Sequence, residues 1–280
     1  MRQNQLRELL NHDQPSLGTR IMNSWPTIVE LVGHSGMFDY VEFSGEYAPY
    51  DHQILENMGR AIELFPHLTG MLKIEQESRS HAAVRAIGSG FQSLLFADPR
   101  SVEEVEQCVR AVRSERPQSG GLHGVNMHRC VGAVLEAGTE AWADALDNVV
   151  IALMIEKKGA IENLEAILDV PGVDMVQFGP ADYSNSLGYT GEFAHPEVKE
   201  AERYLIETAL KKGVAPRVEL NDPVGFEPYL EMGVKHFNVG IDVKTLFSWL
   251  RSAGGTMRKE LGLEPISEPA GQKWAPVYGE

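Results

Sequence analysis

Residues 149–156 read Val-Val-Ile-Ala-Leu-Met-Ile-Glu, and residues 174–182 read Asp-Met-Val-Gln-Phe-Gly-Pro-Ala-Asp. Each contains a short apolar run with the marks of a strand, the first ending in Glu156 and the second leading through Gly179-Pro180-Ala181 to Asp182. Residues 159–168 between them carry apolar side chains at helical spacing. The unit is strand, helix, strand, with a carboxylate at the exit of each strand. In a parallel sheet both exits lie on one face, the face where α/β proteins place their chemistry. Two carboxylates brought together there are costly unless a cation neutralises them, so Glu156 and Asp182 read as a divalent-metal pair. Two solvated loop acids are the alternative that the spacing alone leaves open.

The same rhythm extends along the chain. A short helix is predicted over 5–11, followed by strand 18–22, helix 25–36, strand 40–44 and helix 53–65. Then come strand 69–74, helix 80–87, strand 92–96 and helix 101–114, where Ser101 and Glu104 form a capping box. After the two central strands, helix 197–212, strand 214–219, strand 235–239 and helix 243–253 complete the pattern. Eight strands, most followed by a helix, predict a single (β/α)8 TIM barrel over 1–261. An open doubly wound sheet usually has fewer strands and a Gly-rich first turn, which is absent here. Residues 116–147, with Gly120-Gly121 and Gly124, break the rhythm as a long insertion at the strand-facing rim or a helical excursion. Residues 262–280, rich in Pro and Gly, read as a tail that is either disordered or an arm on a neighbouring subunit.

The chain has 40 acids against 25 bases in 280 residues, a formal net charge of −15. No basic cluster is present to release counterions, which argues against nucleic acid or an anionic membrane as a partner. The first residues, Met1-Arg2-Gln3-Asn4-Gln5, lack an apolar signal core, and no run reaches transmembrane length. Cys108 and Cys130 have neither metal nor redox spacing, and Cys108 falls within a helical pattern as a buried thiol. A cytoplasmic setting is expected.

Ile155-Glu156 through Asn163-Leu164, Val170-Pro171-Gly172-Val173-Asp174, and Gly179-Pro180-Ala181-Asp182-Tyr183-Ser184 to Leu187-Gly188 closely resemble the metal-binding region of the HpcH/HpaI class II aldolases. Shorter matches are Gly18-Thr19, Gly45-Glu46-Tyr47-Ala48-Pro49, and Gly233 with Val239-Gly240-Ile241-Asp242, so the resemblance runs over about residues 16–246. It implies cleavage of a 2-oxo acid to pyruvate, or a close analogue, and an aldehyde. It implies that Glu156 and Asp182 ligate a divalent cation (Mg2+, Mn2+ or Co2+) and that backbone N–H groups near Ala181 and Asp182 hold the substrate carboxylate. The cation would stabilise the enolate left when the C3–C4 bond breaks. A homo-oligomer, trimer or hexamer, that exchanges its final helix is also implied.

The chain departs from the family pattern around this pair. Tyr47 stands where the family has a histidine thought to move the proton, and at an ordinary pKa it is a poor base but a possible acid or oxyanion donor. Ser44 replaces an aspartate, Met154 a glutamine, and Lys73 an arginine that grips the keto acid. Lysine supplies a point charge without a bidentate fork; a Schiff base at Lys73 is a further possibility that a retained metal pair makes redundant. His123 takes the arginine position of a Gly-x-Arg-Gly turn, and it and His128 are candidate replacement bases or surface histidines of a Gly-rich loop. Arg20, at the exit of strand one, is a candidate for a substrate carboxylate. Glu46 could reach the metal through water, Trp25 could line the pocket, Asp98 is a turn residue or the partner of a histidine from another subunit, and Arg85 reads as an outward charge.

The leading expectation is therefore a divalent-metal-dependent lyase performing retro-aldol cleavage of a 2-oxo acid. Decarboxylation of an oxaloacetate-like acid on the same site is the second, because it needs no base for a C4 hydroxyl. A catalytically silent barrel that binds a metal and an oxo acid is the third.

Overall fold

A computed structural model describes residues 2–264. Its strands are β1 (Ser16–Ile21), β2 (Tyr40–Ser44), β3 (Thr69–Ile74), β4 (Ser93–Ala97), β5 (Val150–Ile155), β6 (Met175–Phe178), β7 (Ala215–Leu220) and β8 (His236–Ile241). All neighbours pair in parallel, and β8 closes on β1, giving the barrel that the sequence predicts. The helices are α1 (Gln5–Asn11), α2 (Pro26–Ser35), α3 (His52–Glu63), α4 (Arg79–Ser89), α5 (Val102–Val112) and α6 (Glu140–Asp147). They continue with α7 (Lys158–Glu162), α8 (Leu164–Leu168), α9 (Pro180–Ser186), α10 (Pro196–Lys212), α11 (Glu227–Glu231) and α12 (Asp242–Glu260).

Three local readings change. The predicted helix over 159–168 divides at Asn163 (φ −106°, ψ 15°) into α7 and α8. The Asn163 amide donates to the carbonyl of Gly159 at 3.0 Å, a side-chain bond that competes with the helical ladder. The capping box forms by half: Ser101 Oγ accepts from the N–H of Glu104 at 3.3 Å, while the Glu104 carboxylate binds Arg79 and the N–H of Arg100. Residues 116–147 are the helical excursion and not a rim insertion. They leave α5 and re-enter at β5, so chain direction puts them at the N-terminal ends of the strands, with short 3-10 turns at Arg129–Val131 and Ala133–Leu135 before α6. Of the expected tail, residues 265–280 lie outside the described residues.

The strands bury both faces. Outward residues such as Leu72, Leu94, Ile151, Leu153 and Val176 pack with Leu55, Ile87, Val105 and Leu164 of the helices. Inside, a separate cluster joins Met71, Leu95, Val150, Ala152, Met154 and Met175 to Tyr40 and to Leu6, which α1 inserts as a wholly buried plug. The opposite side of the interior is charged. Arg217 of β7 reaches across to Glu42 and to the Tyr40 hydroxyl (2.9 Å) on β2, and binds Gln177 on β6. Gly18 makes room for this arrangement, since a Cβ there would stand 2.2 Å from the Tyr40 ring.

Candidate active site

Glu156 follows β5 directly, and Asp182 lies in the first turn of α9, which begins as soon as β6 ends. Gly179 at that junction permits the approach: a Cβ there would fall 2.6 Å from Glu156 Cβ and Oε2. The two acids line one pocket at the C-terminal mouth of the barrel, together with Arg20, Tyr47, Lys73 and Ala181. Six residues singled out from sequence therefore meet at a single site.

Burial raises the carboxyl pKa of Glu156 to about 7; Lys73 opposes this, and the nearby Asp182 and Glu46 add to it. Among the described residues, no side-chain hydrogen bond or ion pair engages Glu156. A buried acid without a cation, beside a second acid, is a hard-oxygen donor set that fits a divalent ion of the Mg2+ or Mn2+ type. No cluster of three His, Cys, Asp or Glu residues suited to a metal occurs among the described residues. Water and substrate oxygens would have to supply the remaining positions, the usual habit of Mg2+.

Tyr47 projects from the loop after β2, its ring 5.3 Å from the Arg20 guanidinium and 4.8 Å from Lys73 Nζ. Burial pushes its phenol up, against the opposing charge of Lys73, so at neutral pH Tyr47 is a proton donor and not a base. Lys73 ion-pairs with Glu46 and lies 3.4 Å from the Tyr47 hydroxyl. Burial alone would lower its pKa, but Tyr47, Glu46 and Glu156 outweigh that and hold it above the ordinary lysine value. A permanently charged ammonium is unsuited to Schiff-base attack. Arg20 donates to Ser44 Oγ at 2.6 Å and to Glu219 at 2.7 Å.

His123 and His128 are elsewhere, which removes both as candidate bases. The N–H of His123 bonds the carbonyl of Arg113, whose guanidinium caps the carbonyls of Leu146 and Val149 just before β5, at the far end of the barrel. Both imidazoles are buried, their Nε2 atoms 3.1 Å apart, and His128 stacks on Trp142. Burial lowers both pKa values, that of His128 to about 3, so the pair is neutral packing. Trp25 is 60 % exposed at the start of α2, and Arg85 is exposed on α4.

Several pocket residues carry no motif and escaped the sequence reading. Arg217, Gln177 and Glu219 line the cavity from β6 and β7. Gln177 pairs in register with Met154, so the amide missing from β5 is supplied by the adjacent strand. Their only signal is polarity at inward strand positions, visible once the barrel phase is known. Lys157 was also overlooked; its Nζ lies 2.7 Å from Asp182 Oδ1 and 3.9 Å from Asp98 Oδ2.

An eight-stranded parallel barrel with paired carboxylates at adjacent strand exits belongs to the broad class of α/β-barrel enzymes. The HpcH/HpaI aldolase/citrate lyase profile matches residues 25–248, and the chain belongs to that family. It is 27 % identical over 275 residues to a hydroxypyruvate/pyruvate aldolase of Cupriavidus necator, covering 98 % of each chain. It is 29 % identical over 244 residues to a 4-hydroxy-2-oxo-heptane-1,7-dioate aldolase of Shigella boydii, covering 87 % of this chain and 91 % of the relative. Among solved structures, an HpcH/HpaI aldolase/citrate lyase family protein of Burkholderia cenocepacia superposes with a TM-score of 0.83 at 27 % identity, over 91 % of this chain and 100 % of that one. The protein is a carbon–carbon lyase of the aldolase type.

Proposed function

We propose that the protein is a divalent-metal-dependent lyase that cleaves a 2-oxo acid, giving pyruvate or a pyruvate analogue and an aldehyde. The observation that carries this reading is Glu156, a buried carboxylate with no cation of its own, set beside Asp182 at the barrel mouth. Glu156 and Asp182 would hold the cation, which when bound acts as a Lewis acid toward the keto acid. The first-turn N–H groups of Ala181 and Asp182 have no intrahelical acceptor and would take the substrate carboxylate. Tyr47 holds its proton and donates a hydrogen bond to the oxygen on which charge develops. Lys73, fixed by Glu46, supplies positive charge to the same end of the pocket. Arg20 is braced by Glu219 and Ser44 and shapes the wall opposite the acid pair.

A second reading has a specific observation behind it. Among the described residues no histidine lines the pocket, and Tyr47 is protonated. Burial would raise the Glu219 pKa, but Arg20 and Arg217 hold it low. Decarboxylation of an oxaloacetate-like acid needs no base for a C4 hydroxyl and suits that lining. Incubating the metal-loaded protein separately with oxaloacetate and with 4-hydroxy-2-oxo acids distinguishes the two. Aldehyde release from a hydroxy acid supports cleavage, whereas CO2 from oxaloacetate with no aldehyde from any hydroxy acid replaces it by decarboxylation.

We also propose a homo-oligomer, a trimer or hexamer, in which α12 packs on a neighbouring copy. None of its described side chains is buried, and Leu246, Trp249, Leu250 and Met257 are all more than half exposed. No helix among the described residues is long and apolar enough to cross a membrane. A reducing, cytoplasmic setting fits the unpaired buried Cys108 and Cys130, whose thiols burial pushes up to about 12 and about 11.

A further inference from the structure

We infer that Lys157 is a built-in competitor for the cation at Asp182, and that Asp98 is the acceptor to which its ammonium transfers when the cation enters. The inference rests on the metal reading of Glu156 and Asp182. Lys157 follows Glu156 in sequence and places Nζ 2.7 Å from Asp182 Oδ1. A divalent ion on that carboxylate would face a like charge at close range in a partly desolvated site. The lysine therefore has to yield or weaken the ion.

Its second anchor is already in place. Asp98 Oδ2 is 3.9 Å from Lys157 Nζ, so a shift of about 1 Å would bring the ammonium into hydrogen-bond range of Asp98. Asp98 directly follows β4 in a left-handed backbone conformation (φ 49°), which Asp and Asn adopt more readily than other non-glycine residues. The turn is held by its surroundings. Arg79 donates to the carbonyls of Ala97 and Asp98 at 3.0 and 2.7 Å, and Arg100 engages the Asp98 carboxylate through Nε and Nη2. A clamped, 8 % exposed acid beside Lys157 is more than a solvated turn residue needs. Such an arrangement lowers cation affinity and gives Asp182 a counter-charge that the cation must displace. It makes Lys157 a positioning residue and not a catalytic one.

The test is Mn2+ binding, read from the free-ion EPR signal, on the full chain and four variants in low salt. The variants are Lys157→Met, Asp98→Asn, the two combined, and Glu156→Gln as the control for site binding. Asparagine tolerates the left-handed backbone, so Asp98→Asn keeps the turn. Lys157→Met should tighten Mn2+ about tenfold or more, and Asp98→Asn should weaken it several-fold. The Asp98→Asn effect should largely vanish when Lys157 is already Met, because the acceptor then has nothing to accept. Unchanged or weaker binding in Lys157→Met overturns the inference, as does an equal Asp98→Asn effect in both backgrounds, which would mark Asp98 as a plain distant charge. Wild-type protein with no saturable, Glu156-dependent Mn2+ binding would overturn the metal reading itself.

Discussion

The two sides of the barrel interior are built on opposite principles. From β3 to β6 the inward residues include Met71, Leu95, Val150, Ala152, Met154 and Met175, a largely dry wall sealed at the N-terminal end by Leu6, with Lys73 and Gln177 as the polar groups at its mouth. From β7 through β1 to β2 they include Arg217, Glu219, His236, Asn238, Arg20 and Glu42, all joined to the same ladder. The dry wall can be held by dispersion and burial alone. The charged wall is stable only while each cation keeps its acid, because a lone buried ion is far more costly than the pair. The acid pair is placed at the exits of β5 and β6, at the edge of the dry wall, whereas Arg20, Tyr47 and Lys73 face it from β1, the loop after β2, and β3. The contrast separates a scaffold that positions the acids from a wall of buried ion pairs that faces them across the pocket.

The largest expected effect breaks the site and spares both walls. Glu156→Ala or Asp182→Ala should lower turnover by about a thousandfold or more in steady-state assays, since on the proposed reading the cation they hold would supply the main charge stabilisation. Next comes the charged wall. Arg217→Met leaves the fully buried Glu42 with only its longer 3.7 Å contact to Arg20 and should cost about 3–5 kcal/mol in urea unfolding. Pairing it with Glu42→Leu should recover most of that loss, and a double variant as unstable as the single would show that the wall is not an ion-pair system. Leu95→Ala on the dry side should cost about 2–5 kcal/mol, with no partner substitution able to restore it.

The smallest effect is on acid stability. His236, bonded through Nδ1 to Ser16 Oγ at 2.9 Å, has its pKa lowered to about 4, chiefly by burial. Above pH 6.5 the imidazole is neutral both folded and unfolded, so nothing is lost there. As the pH falls, the unfolded chain protonates first, and stability declines from about 6.5 until the folded value near 4 is reached. His236→Gln should flatten the dependence of the urea midpoint on pH across that window. An unchanged slope would assign the acid sensitivity to other groups, such as His128.

The same two walls explain how much the sequence could tell. The dry side is legible because Val150–Ile155 is an uninterrupted apolar run and Met175–Phe178 is apolar but for Gln177, and their exits bring Glu156 and Asp182 into view. The charged side was partly hidden. Arg20 and Lys73 could be named, but Glu42, Arg217 and Glu219 interrupt strand patterns and resemble surface residues until closure of the barrel turns them inward. His123 was misplaced for a related reason. A Gly-rich stretch with two histidines does not reveal which end of the barrel it serves; only the path from α5 back to β5 does. Lys157 was passed over because a lysine after a strand is usually solvated, and its bond to Asp182 joins side chains 25 positions apart.

The account turns on whether Glu156 and Asp182 work through a cation. Pyruvate release from 4-hydroxy-2-oxo acids and from oxaloacetate, followed through lactate dehydrogenase, tests this directly in protein stripped with a chelator and then resupplied. Release should stop on stripping, return with Mg2+, Mn2+ or Co2+, and fail to return in Glu156→Ala. Equal rates in the stripped and resupplied protein would contradict it.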